Sequence, residues 1–132
     1  MPRLLPATPE SIAIAAAALR DGQLVAFPTE TVYGLGGSTL DPAAIARIYG
    51  LKGRPRDNPL IAHVLDADAA RRLIQPWDSR MQQLAEAFWP GALTIVGTKA
   101  EGVPIEATGG RTTIAVRSPS HPIARALLEL FG

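Results

Sequence analysis

Helix entries and short apolar runs take turns along this chain, and that alternation limits its fold more than any other feature. Thr8-Pro9, Asp41-Pro42 and His121-Pro122 each set a proline just after an entry residue. Proline at the first helical position forfeits only an N–H that has no intrahelical partner there. The first signal predicts a helix from Thr8 to Arg20 that Gly22 stops. A strand follows over Gln23 to Phe27, ended by Pro28, and a second strand near Leu35 to Leu40. The second helix runs from Asp41-Pro42 through Tyr49 and breaks at Gly50 and Gly53. Beyond it come a strand (Leu60 to Leu65), helices over Asp66 to Ile74 and Asp78 to Phe88, and a strand over Ala92 to Gly97. A Gly-rich loop (99–111), a strand (Thr112 to Arg117) and a helix from His121-Pro122 through Leu130 complete the pattern. Helices alternating with short apolar strands predict an α/β chain with a mixed sheet.

Composition narrows the function classes. Hydrophobic residues make up 47% and charged residues 19% of the 132, which excludes the low-hydrophobicity, high-charge disordered class. Alanine accounts for 22 of the apolar residues and aromatics for only seven, so a single core is expected. A net charge of +1 speaks against a dedicated nucleic-acid binder. Without cysteine there is no disulfide, thiolate metal site or thiol nucleophile, and two histidines make a zinc enzyme improbable. The first residues carry no secretory apolar core, and no apolar run approaches the roughly 18 residues of a membrane span. The expectation is a soluble, cytoplasmic protein with no membrane contact.

Two segments offer chemistry. Pro28-Thr29-Glu30-Thr31-Val32-Tyr33 brings hydroxyls, a carboxylate and a phenol to the carboxyl end of a strand, where open α/β sheets bind ligands; an ordinary turn between strands fits equally well. Lys52-Gly53-Arg54-Pro55-Arg56-Asp57-Asn58-Pro59 concentrates cations, with no acid between Pro42 and Arg56. On an extended segment Lys52 and Arg54 point the same way and can converge on a polyanion. A solvated charge run is the plainer alternative. His63, inside an apolar strand, reads as a core residue or a ligand contact, and Arg117, closing another strand, as a crevice residue or a solvated one. No P-loop or dinucleotide fingerprint is present.

Four blocks in order, FPTETVYGLGG, KGRPRDNPLIAHV, FWPGALTIV and TIAVRSPSHPIA, resemble the YrdC-like family, the L-threonylcarbamoyladenylate synthases. The resemblance implies a twisted mixed sheet flanked by helices around a concave ligand cavity. It implies a nucleotidyltransferase that makes threonylcarbamoyl-AMP and pyrophosphate from L-threonine, bicarbonate and ATP. Mg²⁺ would be held by the ATP phosphates, and the product passed to the threonylcarbamoyl transferase machinery for t6A modification of tRNA, with a possible weak contact to tRNA itself. By this resemblance Lys52 and Arg54 are catalytic and bind ATP together with Arg117 and Asn58. Thr29, Thr31, Tyr33 and His63 bind threonine. The family's Ser-x-Asn motif falls beyond residue 132, so residues 1–132 are expected to form a single, incomplete domain. The strand Thr112 to Arg117 should then stand at an open edge, and the last helix should lack part of its cover. Two alternatives stand beside this: a carbamoyl-adenylating module of the hydrogenase-maturation type, and a non-catalytic RNA-binding module using Arg47, Lys52, Arg54 and Arg56. A third is an inactive remnant of the fold.

Overall fold

The computed structural model describes residues 4–28, 33–53 and 60–131. The entry signals act as capping chemistry predicts. At α1 (Pro9–Arg20) the Thr8 hydroxyl accepts the Ser11 N–H at 3.2 Å. At α2 (Pro42–Lys52) one Asp41 oxygen accepts the N–H groups of Ala43 and Ala44 at 3.0 and 3.3 Å. Asp66 caps the single turn α3 (Ala67–Ala70) and Asp78 caps α4 (Ser79–Phe88). At α5 (Pro122–Phe131) the His121 ring nitrogen Nδ1 accepts the Ile123 N–H at 3.2 Å. Each such bond satisfies a donor that the helix itself leaves unpaired.

The strands form two sheets among the described residues. β1 (Val25–Pro28) and β2 (Tyr33–Gly36) pair as an antiparallel ribbon, with Phe27 opposite Gly34. β3 (Ile61–His63), β4 (Ile95–Thr98) and β5 (Thr113–Arg117) form a mixed sheet in the order β3-β5-β4, with β3 parallel and β4 antiparallel to β5. β5 is therefore the central strand, flanked on both sides. The expectation that it would stand at an open edge is overturned, because the chain's own β3 and β4 supply its ladder.

Ala62, Ile95, Ile114 and Val116 share the covered face of this sheet and are 0–8% exposed. They cluster with Ile45 and Tyr49 of α2, Leu73, Ile74 and Ala85. A second cluster, separate from the first, joins Ala16 and Leu19 of α1 to Leu127 of α5, with Val25 and Phe27 packed against it. Among the described residues the buried apolar side chains thus form two clusters, where composition led to the expectation of a single core. α5 takes cover from α1, and Arg20 Nη1 donates to the Leu130 carbonyl at 3.1 Å, although Leu130 itself stays 49% exposed. No helix among the described residues is long and apolar enough to cross a membrane.

Several boundaries move for identifiable reasons. α2 continues through Gly50 and ends where Gly53 adopts a left-handed φ of +62°; a helix-interior glycine costs only about 1 kcal/mol. The helix predicted over Asp66 to Ile74 stops after one turn. The segment beyond it pairs instead with the chain around β4: Ile74 bridges Lys99, Gln75 N–H donates to the Thr98 carbonyl, and Ala100 N–H donates to that of Leu73. Pro76 also disfavours helix at Gln75. β2 starts before Leu35 because Tyr33 pairs with Pro28, and β4 is displaced toward Thr98 by its ladder to Thr113. Inside the predicted 99–111 loop, Ile105–Thr108 form a 3₁₀ turn that Gly109 closes at φ +62°.

Candidate functional site

Alternation along a strand sends neighbouring side chains to opposite faces. With Ala62 and Val116 in the core, His63 and Arg117 fall on the open face. They are register partners across the parallel β3–β5 ladder, at the carboxyl ends of both strands. Arg117 Nη2 lies 3.4 Å from His63 Nε2, and both side chains are half-buried. Phe27 approaches from the ribbon, its ring 6.2 Å from the His63 ring centroid at an interplanar angle of 89°.

The backbone under this pair is firmly tied. Val64 N–H donates to the Arg117 carbonyl at 2.9 Å, extending the ladder by one bond. Ser118, 1% exposed, donates its hydroxyl to the Leu65 carbonyl at 2.8 Å. Its Oγ accepts from Arg125 Nη1 at 3.0 Å, and its carbonyl accepts the Gly91 N–H at 2.8 Å. Arg125 also donates to the Pro119 carbonyl at 3.1 Å. One buried serine therefore joins the ends of β3 and β5, the start of α5 and the turn at Gly91. Such over-determined backbone is what holds functional side chains in place.

The other expected residues divide. Lys52 is exposed and occupies the last position of α2, a different element from the His63–Arg117 pair. The extended geometry argued for Lys52 and Arg54 does not hold at Lys52, because that residue is helical and Gly53 turns left-handed after it. A lysine in the last turn also complements the helix dipole without any ligand. Tyr33 opens β2 opposite Pro28. Thr29, Thr31, Arg54 and Asn58 lie outside the described residues. Phe27 is the member of the cluster that sequence reasoning missed, having counted it only as the end of a strand. The glycines at alternate positions in Tyr33-Gly34-Leu35-Gly36 were the available signal, since they leave room on one face of the ribbon for a large cross-strand neighbour.

An imidazole beside a guanidinium suits an anionic group. It is a poor place for a cation, and among the described residues no group of three or more His, Asp or Glu side chains could hold a metal ion.

Residues 17–132 match the protein-family model for Sua5/YciO/YrdC, described as telomere recombination. A threonylcarbamoyl-AMP synthase of Pyrococcus abyssi (strain GE5 / Orsay) is 52% identical over 119 residues, covering 90% of this chain and 35% of that protein. One from Bacillus subtilis (strain 168) is 46% identical over 122 residues, covering 92% and 35%. The crystal structure of P. abyssi Sua5 complexed with L-threonine superposes with a TM-score of 0.91 at 50% identity, over 94% of this chain and 36% of that one. E. coli YciO superposes with a TM-score of 0.83 at 28% identity, over 95% and 61%. The chain spans about a third of the length of those two curated relatives. The mixed α/β fold is that of the Sua5 and YciO structures, the family match takes in every described strand of the chain, and this chain belongs to the Sua5/YciO/YrdC family.

Proposed function

We propose that this chain carries the threonine-binding part of a threonylcarbamoyl-AMP synthase, a nucleotidyltransferase acting on L-threonine, bicarbonate and ATP. The observation that carries the reading is the His63–Arg117 pair, which sets a planar cation and an imidazole together at the carboxyl ends of two parallel strands. The names of the relatives and the threonine in the P. abyssi Sua5 structure support it. Arg117 offers a two-pronged donor to the α-carboxylate of threonine. In this reading Arg117 serves the amino acid beside His63, where the resemblance alone gave it to the nucleotide. His63 orients the same substrate, with Thr29, Thr31 and Tyr33 contributing hydroxyls.

The reaction needs no enzyme nucleophile. The threonine amine takes up CO₂ from bicarbonate as a carbamate, whose oxygen attacks the α-phosphorus of ATP as the bond to pyrophosphate breaks. Positioning and charge neutralisation dominate catalysis of this kind. Lys52, Arg54 and Asn58 serve the phosphates, and Mg²⁺ enters as part of the MgATP substrate. The product then goes to the machinery that modifies tRNA.

The test is threonine affinity by calorimetry, together with pyrophosphate release in the presence of ATP and bicarbonate. The chain is expected to bind threonine well above valine, because a site that hydrogen-bonds a hydroxyl rejects the analogue lacking it by a large factor. Equal affinity for the two amino acids, or none for threonine, overturns the reading.

A further inference from the structure

The antiparallel ribbon carries an unusual pairing on one face. Phe27 stands opposite Gly34, and Gly36 lies diagonally beyond it. A Cβ placed on Gly36 would meet Phe27 Cε1 at 2.6 Å, closer than real side chains approach. The ring therefore lies across the strand at Gly36, in space that only a missing side chain leaves. From there Phe27 touches two parts of the molecule. It packs against the α1–α5 cluster of Ala16, Leu19 and Leu127, and it meets the His63 ring edge-to-face at 6.2 Å.

From this geometry we infer that Phe27, seated by Gly36, is a positioning residue that sets the orientation of the His63 imidazole for the amino-acid substrate. The inference rests on His63 lying in the threonine site. A histidine side chain turns about two torsions, and Arg117 Nη2 reaches the His63 ring from the neighbouring strand at 3.4 Å. An aromatic ring set perpendicular to the imidazole restricts its tilt, and aromatic pairs favour this T-shaped arrangement. Phe27 is itself fixed on two sides, by the ribbon at Gly36 and by the helix cluster. The α1–α5 packing thereby reaches the site through the Phe27 side chain.

Phe27→Leu keeps an apolar side chain without the ring; Phe27→Tyr keeps the ring. Phe27→Leu is expected to weaken threonine binding about three- to tenfold, the scale of one lost aromatic pair. ATP affinity stays unchanged, and Phe27→Tyr restores most of the threonine affinity. In a His63→Ala background, Phe27→Leu adds nothing further, because the two act through one ring. Weakened threonine binding in His63→Ala with wild-type binding in Phe27→Leu overturns the inference, as does a loss in Phe27→Leu that falls equally on threonine and ATP. If His63→Ala binds threonine normally, the substrate reading fails by itself. The positioning role is then judged on the His63 imidazole resonances without ligand: shifted and broadened in Phe27→Leu but not in Phe27→Tyr if it is right, unchanged in both if it is wrong. Should Phe27→Leu not fold, Gly36→Ala gives the same two readouts by displacing the ring instead of removing it.

Discussion

The two faces of the β3-β5-β4 sheet are built from alternate residues of the same strands, yet they serve opposite ends. On the covered face Ala62, Ile95, Ile114 and Val116 pack into the larger core at 0–8% exposure. On the other, Ile61 and Val96 flank Ala115 in one row at 47% and 58% exposure, and His63 and Arg117 form the next row. Moving one residue along β5, from Val116 to Arg117, exchanges a position that holds the fold for one on the open face. The covered face tolerates little because interiors are packed like crystals, whereas the open face is free to be chosen for chemistry. The strands lend it their rigidity, reinforced at the carboxyl ends by Ser118 and Arg125.

That contrast breaks most visibly at Ile114, which is 2% exposed on the central strand. Ile114→Ala should lower the unfolding free energy by about 2–5 kcal/mol, through lost transfer energy and the cavity left behind. Denaturant titration measures it, and a loss below about 1 kcal/mol would mean that this face is not the main core. Arg117→Ala is expected to show the opposite profile. Removing a charged partner of the substrate carboxylate costs about 1.5–3 kcal/mol of binding, roughly a ten- to hundredfold loss of threonine affinity. Its half-buried position on the open face predicts a stability change below about 1 kcal/mol. A stability loss matching that of Ile114→Ala would make Arg117 structural and erase the division of labour.

Gly97 tests the covered face from the other direction. A Cβ there would meet Ile74 Cγ2 at 2.5 Å and Met81 Cε at 2.9 Å. Met81 is flexible, but Ile74 is fully buried and has no room to withdraw. Gly97→Ala should therefore cost about 1–3 kcal/mol by overpacking, read in the same denaturant titration. No cost would show that β4 lies more loosely on the core than its register suggests.

Much of this architecture was legible in the sequence, and the parts that were not share a cause. Helix entries at Thr8, Asp41, Asp78 and His121 were readable because capping is local: the side chain and the N–H it serves are two or three residues apart. The limits of β4 and α3 were not readable, because each is decided by a partner far along the chain, Thr113 for Thr98 and Lys99 for Ile74, and the start of β2 is set by a cross-strand pair, Tyr33 with Pro28, that local propensity does not show. The same distinction runs through the site. His63 and Arg117 were identifiable singly, through the family resemblance, but not as neighbours, since 54 residues separate them and only the parallel register brings them together. The central place of β5 was misjudged for this reason too. Phe27 lay hidden because its role depends on the absence of a side chain on the opposite strand.

The smallest expected effect gives the sharpest test of the open face. Val96 lies one residue from the core residue Ile95, on the same strand, at 58% exposure. Val96→Thr keeps the β-branch that suits a strand and adds only a hydroxyl. On a covered face that hydroxyl would lose its water and find no partner, at about 1–3 kcal/mol. On a solvated face it keeps its water, and the change should stay within about 0.5 kcal/mol. Denaturant midpoints taken at low and high protein concentration separate the possibilities. Equal midpoints for Val96→Thr and the parent at both concentrations confirm that the row of Ile61, Ala115 and Val96 meets solvent in the free chain. A loss above about 1 kcal/mol at both concentrations would mean that some part of the same chain covers this face. A loss that grows with concentration would mean that a second copy does, since only association couples stability to concentration.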